Sequence, residues 1–237
     1  MKYMGSKRRI AKYIIPIILA DRKPGQVFVD VTVGGANASE DVANPRICAD
    51  VNPYLIALFK STQIGWQPPK HISEELYNDV KNAPFNYSQE LVGHLGFAMS
   101  YGGKFFGGLA RGNCDLKNGG VRVRDYGVEA FNNFTKQAPK LAGAEFICCS
   151  YSELAIPKNS IIYADPPYKG TTGYKDGGFD HVAFWQWCRD KTNEGHQVFI
   201  SEYAAPDDFL CIWEGENHST FGTKTAKKAT EKLFIYL

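Results

Sequence analysis

The sequence lacks the features that mark several broad classes of protein. Its 237 residues contain no apolar run near the roughly 20 residues needed to span a bilayer, and the run at 14–20 is interrupted by Pro16. The six cysteines form no CxxC pair and have no histidine at ligand spacing. The basic residues 1–9 are not followed by the apolar segment and cleavage site of a secretory signal. We therefore expect a cytoplasmic protein with buried free thiols, no membrane segment and no metal.

The composition is that of a globular chain. Hydrophobic residues make up 44% of it and aromatic residues 14%, and 27 Lys and Arg balance 25 Asp and Glu. A chain of this length can bury a sizeable core and form one large α/β domain, or a core domain with a smaller insertion. The near-neutral total charge does not by itself indicate a partner.

Short, continuous β-rich runs alternate with helical patterns. Such runs are typical of strands covered on both faces, and their alternation with helices predicts a mostly parallel, doubly wound α/β sheet. The predicted strands are 27–31, 46–50, 146–149, 161–165 and 198–201, with closing strands at 209–214 and 232–237. The predicted helices are 7–19, 53–64, 128–140 and 181–193.

The segment 61–141 breaks this rhythm. It has no clear buried strand, and helical pieces surround a segment at 101–111 that is rich in glycine, aromatic and basic residues. Eighty residues is too long for an ordinary crossover between strands. We expect an inserted subdomain that separates an early half of the sheet from a late half.

The strongest motif is Asp165-Pro166-Pro167-Tyr168, directly after the predicted strand at 161–165. In an open α/β sheet, ligands bind at the carboxyl ends of strands. The residue types suit methyl transfer to an exocyclic amine, because a carboxylate and a rigidly held proline carbonyl can accept both N–H bonds and free the nitrogen lone pair. Tyr168 offers a flat face for a planar base, which would have to be flipped out of a duplex.

A second motif follows the first predicted strand. Gly34-Gly35 comes shortly after Asp30, and Asp50 lies 20 positions after Asp30, at the end of the next predicted strand. Glycines let the backbone approach a ligand, and an acidic residue at that distance can bind ribose hydroxyls. The glycines do not form GxGxxG, so a nucleoside cofactor without a pyrophosphate fits better than a dinucleotide.

Together with Tyr3-Met4-Gly5-Ser6-Lys7, these motifs resemble the Dam-type DNA N6-adenine methyltransferases over almost the whole chain. The resemblance implies a Rossmann-like, S-adenosylmethionine-dependent methyltransferase sheet with an antiparallel last strand, formed by 1–60 and 142–237. Residues 61–141 would be an inserted, mostly helical target-recognition subdomain. The chain departs from the family's Phe-x-Gly-x-Gly loop at Thr32 and Ala36, and Ser6 replaces a glycine.

The resemblance also implies roles for individual residues. Asp165, Pro166, Pro167 and Tyr168 would be catalytic. The S-adenosylmethionine site would comprise Tyr3 and Lys7 at its border, Asp30, Gly34 and Gly35 at the methionine part, Asp50 at the ribose, Ser150 and Tyr151 at the adenine, and Asp165. The implied double-stranded DNA contacts are Lys104, Phe105, Arg111, Asn113, Arg122, Arg124 and Lys227.

The implied protein is a bacterial or phage-encoded, site-specific adenine-N6 methyltransferase that works as a monomer or weak dimer and releases S-adenosylhomocysteine. Three basic groups, near the start, at 104–124 and at 224–228, could converge on one DNA-facing surface. The near-neutral net charge of the chain would then arise because acidic residues elsewhere on the surface offset this basic surface. Two alternatives stay open. One is a methyltransferase for another planar amine, namely RNA adenine, cytosine N4 or a protein glutamine. The other is a non-catalytic nucleic-acid binder.

Overall fold

The structure is a computed structural model that describes residues 1–115, 121–168, 178–217 and 229–237. Its strands are β1 (Phe28–Asp30), β2 (Arg46–Asp50), β3 (Asn113–Asp115), β4 (Val121–Val123), β5 (Glu145–Cys148), β6 (Ile161–Ala164), β7 (Gln197–Glu202), β8 (Phe209–Asn217) and β9 (Ala229–Tyr236). Its α-helices are α1 (Ala11–Ile18), α2 (Pro53–Gln63), α3 (Glu74–Asn82), α4 (Gln89–Gly93), α5 (Tyr126–Gln137) and α6 (His181–Asn193).

The main sheet has seven strands in the order β5-β2-β1-β6-β7-β9-β8. The first five in that order run parallel, whereas β9 is antiparallel to both of its neighbours. The predicted α/β fold class, a mostly parallel sheet with an antiparallel last strand, is confirmed. The chain moves outward from β1 to β2 and β5 and then returns to β6 on the other side of β1, so the strand order reverses between β1 and β6.

Alternate strand residues face opposite layers of the core. Val29 and Ile162 pack with Phe184 of α6, whereas Phe28 and Ile161 pack in a separate cluster with Ile14 and Ile18 of α1. A third cluster, built around Phe59 of α2 and Phe146 of β5, lies on the α1 side. The sheet is therefore covered on both faces, as its continuous apolar strands indicate.

Several helices begin where side chains cap them. Asn52 accepts a hydrogen bond from the Leu55 amide at 3.0 Å, with Pro53 at the first helical position, and Asp125 and Asp180 cap α5 and α6 in the same way. Helix α6 has the predicted bounds, and α5 ends earlier than predicted because Pro139 has no N–H to continue the α-helical hydrogen bonds.

The single helix predicted at 7–19 is wrong. Ser6 accepts a hydrogen bond from the Arg8 amide and begins a 3-10 turn at Lys7–Arg9, which precedes α1. The turn matters for the site because it buries the Lys7 side chain, which is only 6% exposed. Lys7 therefore cannot belong to a basic surface at the start of the chain.

The cysteine prediction is confirmed only in part. Cys48 and Cys188 are buried free thiols, but Cys148 and Cys211 are exposed. The exposed pair lie on β5 and β8, the two edge strands of the sheet, where a side chain is not covered by a second neighbouring strand.

The segment 61–141 contains α3, α4, a π-helical turn (His94–Ala98), the β3-β4 hairpin and α5. It has a cluster of its own, which includes Tyr77 and Leu95, but Phe97 and Phe134 pack with Phe59 and Phe146 of the sheet domain. The subdomain boundary at 61–141 stays a prediction.

Candidate active site

The predicted catalytic motif lies at the point where the strand order reverses. Asp165 directly follows β6, and its backbone amide donates a hydrogen bond to Thr32 Oγ1 in the loop after β1, at 2.7 Å. Pro166 is buried, Pro167 is half-buried, and the Asp165 side chain is 21% exposed. The motif is thus held by both strand ends while its carboxylate stays accessible to a ligand.

Residues from the start, middle and end of the chain form a buried charged cluster here. Lys7 Nζ lies 3.0 Å from Asp165 Oδ1 and 3.3 Å from Glu231 Oε2 on β9. The Tyr168 hydroxyl donates to Glu231 Oε2 at 2.5 Å, and Lys7 Nζ lies 4.3 Å from the centroid of the Tyr168 ring. We call Lys7, Asp165, Tyr168 and Glu231 the charged cluster.

The cluster sets the ionisation of Asp165. Burial raises the pKa of Asp165 to about 6, the Lys7 ammonium opposes this shift, and the Glu231 carboxylate adds to it. Burial also disfavours the charged form of Lys7, but the two carboxylates outweigh this effect and raise the Lys7 pKa. The anion of Asp165 therefore predominates at neutral pH, next to a lysine whose charged form the two carboxylates favour.

The structure changes the environment expected for Tyr168. Its side chain is 9% exposed, its hydroxyl is engaged by Glu231, and the Lys7 ammonium lies over its ring. Tyr203, which follows β7 and is 37% exposed, packs almost perpendicular to it with ring centroids 4.5 Å apart. Stacking of a base on Tyr168 stays a prediction, and it would use the face opposite Lys7 or displace that side chain.

The two glycines after β1 make room for Tyr3. A Cβ atom at Gly34 would lie 2.8 Å from Tyr3 Cε1, and one at Gly35 would lie 2.7 Å from Tyr3 Cβ. Gly34 also has φ +47°, which disfavours other residues. Close packing of Tyr3 therefore explains both glycines, and the loop and the N-terminal segment form one wall.

Two of the predicted cofactor carboxylates differ in access. Asp30 is 1% exposed, accepts a hydrogen bond from the Thr32 amide at 3.3 Å and another from the Ser39 hydroxyl, and so is closed off by its own loop. Asp50 is half-buried and accepts from the Gly34 and Asn52 amides at 3.1 and 2.9 Å. Asp50 is the carboxylate that a ligand can reach directly.

The predicted adenine-contacting segment lies beside Asp50. The Cys149 amide donates to the Asp50 carbonyl at 3.2 Å, which brings Ser150 close to the end of β2. Tyr151, however, packs its ring among Phe184, Trp187 and Phe179 in the core. Val51, next to Asp50, is 69% exposed and presents an apolar surface beside that carboxylate. Contact of Ser150 and Tyr151 with the cofactor adenine stays a prediction.

The burial of Asp30 predicts how the free energy of unfolding depends on pH. Its burial raises the pKa to about 7 from an ordinary 3.8, although its hydrogen bonds oppose the shift. The folded state then binds this proton more tightly than the unfolded state, so stability falls as pH rises from about 4 to about 7, by at most about 1.4 kcal/mol per pH unit. The asparagine of Asp30→Asn does not titrate, so this variant lacks that loss of stability. Its free energy of unfolding minus that of the wild type, measured by urea unfolding, should therefore increase from about pH 4 to about pH 7. A constant difference would contradict the burial of an ionisable Asp30.

The residues predicted to contact DNA differ in how far they are exposed. Lys104 is exposed, whereas Phe105 is 36% exposed and packs against Phe97 and Phe106, with centroids 4.8 and 4.7 Å away. A Cβ atom at Gly96 would collide with the Phe105 ring, so one side of this partly exposed ring packs closely against the chain at Gly96.

Two predicted DNA-binding arginines are paired with acids. Arg111, on the surface, pairs with Glu74, and Arg124 donates twice to Glu129 at 2.5 and 2.6 Å. The side chains of Asn113 and Arg122, and all of Lys227, lie outside the described residues. Convergence of the basic groups on one surface therefore stays a prediction.

Sequence reasoning missed residues that the fold brings to the site. Thr32 was noted as a departure from a family pattern, yet its hydroxyl fixes the Asp165 amide. Glu231 lies on β9 and Tyr203 follows β7. A single acid just before the apolar residues Leu233, Phe234 and Ile235 was the available signal for Glu231.

Within the described ranges, no group of His, Cys, Asp and Glu side chains could hold a metal ion. In the same part of the chain, no helix is long and apolar enough to cross a membrane.

Comparison with known proteins gives a distant similarity. No family model matches the chain. The chain is 23% identical over 216 residues to the type II methyltransferase M.FokI of Planomicrobium okeanokoites. This similarity covers 80% of the chain but only 31% of that protein, so the chain corresponds to a part of its relative.

Two solved structures resemble the chain distantly. SMU.472, a proposed methyltransferase complexed with SAH, is 12% identical with a TM-score of 0.38, covering 98% of this chain and 53% of that one. HI0767 of Haemophilus influenzae, a proposed methylase, is 9% identical with a TM-score of 0.35, covering 99% of this chain and 92% of that one. The fold class given above is derived from the strand order of the chain itself.

Proposed function

We propose that the chain is an S-adenosylmethionine-dependent DNA adenine-N6 methyltransferase acting on a flipped-out adenine in double-stranded DNA. The observation that carries this proposal is the placement of Asp165-Pro166-Pro167-Tyr168 at the reversal of the strand order, with an accessible, ionised Asp165. The similarity to a type II methyltransferase over 80% of the chain supports methyl transfer. The adenine and DNA specificity rest on the motif resemblance.

The residues at the ends of β1 and β2 fit the cofactor. Asp50 offers a half-buried carboxylate to ribose hydroxyls, the exposed Val51 offers an apolar surface to the adenine ring, and Tyr3 borders the loop. When bound, S-adenosylmethionine supplies an electrophilic methyl group, so that the acceptor nitrogen gains the methyl carbon, the S–C bond breaks and S-adenosylhomocysteine leaves as a neutral thioether.

The protein's own contribution is to hold and activate the amine. The Asp165 carboxylate and the Pro166 carbonyl accept the two N–H bonds of the exocyclic amine, and these hydrogen bonds strengthen as the nitrogen becomes tetrahedral. The proton that the methylated nitrogen must lose passes to Asp165 or to water. Thr32 fixes the position of Asp165 and Lys7 keeps it ionised, so the geometry is prepared before the substrate arrives.

Expression in a methylation-free bacterial host, followed by modification-sensitive sequencing of its genome, tests the proposal. N6-methyladenine at a defined sequence is expected. Methylated cytosine N4 in the genome, or an unmodified genome with N6-methyladenosine detected in the host RNA by nucleoside mass spectrometry, would replace the proposed substrate with another planar amine.

Calorimetric titration with S-adenosylmethionine addresses the non-catalytic alternative. Binding is expected, because the loop that contains Thr32 and Ala36 is an ordered part of the site in which Thr32 hydrogen-bonds to Asp165. An absence of detectable binding would favour a nucleic-acid binder without catalysis.

A further inference from the structure

Glu231 carries a buried carboxylate, and its position on a strand of the sheet does not explain why a charged group is buried there. It lies on β9 with its side chain 5% exposed, in a strand whose neighbouring residues Leu233 and Phe234 are core residues. Burying a charged carboxylate is costly unless it is paired and hydrogen-bonded. Two of its partners belong to the candidate active site: the Tyr168 hydroxyl at 2.5 Å and the Lys7 ammonium at 3.3 Å.

These contacts restrict two side chains that border Asp165. The hydroxyl contact fixes the rotation of the Tyr168 side chain at its outer end, opposite the backbone that the motif already holds. The ammonium contact divides Lys7 between Glu231 and Asp165, with Nζ within 3.3 Å of both. A change at Glu231 would therefore reach Asp165 and Tyr168 together, although Glu231 itself follows Asp165 by more than sixty positions in the chain.

We infer that Glu231 is a positioning residue for methyl transfer. It orients the Tyr168 ring, and it shares the Lys7 ammonium with Asp165, so that Asp165 is not the sole ion-pair partner of Lys7 and can still accept a hydrogen bond from the substrate. This inference rests on the proposed function. Glu231 acts through its two partners and needs no contact with the substrate.

The inference predicts a shift in the pH profile because charges on several elements face Asp165. Glu231 raises the Asp165 pKa and Lys7 lowers it. Loss of the Glu231 charge removes the first effect and leaves Lys7 to Asp165 alone, so both changes lower the Asp165 pKa. The other titratable groups that interact with Asp165, namely Asp30, Tyr163 and Tyr203, are unchanged in the variant. Tyr168 loses its charged partner, but its hydrogen bond to Asp165 also lowers the Asp165 pKa, in the same direction.

The test compares Glu231→Gln with Tyr168→Phe and their double variant. Glu231→Gln keeps the size and one acceptor oxygen but removes the charge, and Tyr168→Phe removes only the hydroxyl. Each single variant should lower kcat about 10- to 100-fold, as loss of a hydrogen bond to a charged group does, with the KM for S-adenosylmethionine changed less than about threefold. The activity of the double variant should lie within about threefold of that of the less active single variant, because both substitutions weaken the contact between the Tyr168 hydroxyl and a charged Glu231 carboxylate. The acid limb of the Glu231→Gln profile should move to lower pH.

Glu214→Gln is the matched control, since Glu214 is an exposed residue on β8 that pairs in register with Lys232, next to Glu231. It removes the same charge from the same sheet and should keep wild-type kcat. Thermal unfolding of every variant separates loss of fold from loss of positioning, and if Glu231→Gln does not fold, Tyr168→Phe decides alone.

Wild-type kcat and an unshifted acid limb in a folded Glu231→Gln, or wild-type kcat in Tyr168→Phe, would overturn the inference while the active wild type upholds the proposed function. A wild type that methylates no base would overturn the proposed function, and the positioning role would fall with it.

Discussion

Replacement of Asp165 by alanine or asparagine should almost abolish methylation while binding of DNA survives. In the proposed reaction the carboxylate accepts one N–H bond of the amine, and loss of a single group that stabilises developing charge lowers kcat about 10²- to 10³-fold. Asparagine keeps the shape of the side chain but presents a weaker, uncharged acceptor. Single-turnover methylation of duplex DNA with a labelled donor measures this effect.

The charged cluster explains why these variants should fold. Without the Asp165 charge, Lys7 keeps Glu231 as its partner at 3.3 Å, so the buried cations and anions still balance. Thermal unfolding within a few degrees of wild type is expected as the control. Robust turnover by folded Asp165→Asn would refute the assigned chemistry, and loss of DNA binding together with activity would point to a structural role instead.

Replacement of Lys7 by methionine should have the largest effect on stability. It leaves the carboxylates of Asp165 and Glu231 buried together without their cation, and breaking a buried ion pair in this way costs about 3–5 kcal/mol. Burial raises the pKa of Asp165 to about 6, so this carboxylate can be protonated at low pH, and the destabilisation should be larger at pH 8 than at pH 5. Urea unfolding at the two pH values measures it.

The pH dependence of the methylation rate is a second test of the Lys7→Met variant. Lys7 lowers the pKa of Asp165, so its removal should raise that pKa and move the acid limb of the rate profile to higher pH, opposite to the shift expected for Glu231→Gln. Lys12→Met is the matched control, because Lys12 is exposed one turn further along the same segment. Equal destabilisation in both lysine variants, or equal effects at pH 5 and pH 8, would contradict the cluster.

The parts of the fold that follow local rules could be predicted from sequence. Continuous apolar runs identified the parallel strands, and the cap Asp180 with the pattern after it gave α6 with correct bounds. The catalytic motif could be placed at a strand end because it follows a buried run directly. These features depend on residues close together in the chain.

The charged cluster could not be predicted, because its members come from opposite ends of the sequence and meet only through the strand order. Lys7 was expected in a helix, whereas it lies in a 3-10 turn that Ser6 caps, with its side chain buried in the cluster. Glu231 carried no motif. The glycines after β1 were correctly singled out, but the side chain that requires them, Tyr3, became visible only in three dimensions.

The insertion illustrates a different limit. Its aromatic and basic residues predicted a nucleic-acid surface, and this stays a prediction. Phe105 contacts Phe97, and Arg111 and Arg124 form exposed ion pairs with Glu74 and Glu129. Composition alone does not distinguish an aromatic residue that packs from one that stacks on a base, nor an arginine that awaits a phosphate from one already paired.

Nucleoside mass spectrometry of duplex DNA incubated with S-adenosylmethionine and the protein tests the central claim most directly. The account predicts N6-methyldeoxyadenosine with the wild type and none above background with Asp165→Asn at equal protein concentration. Methylated adenine in equal amounts from both proteins, or no methylated adenine from a wild type that binds the cofactor, would contradict it.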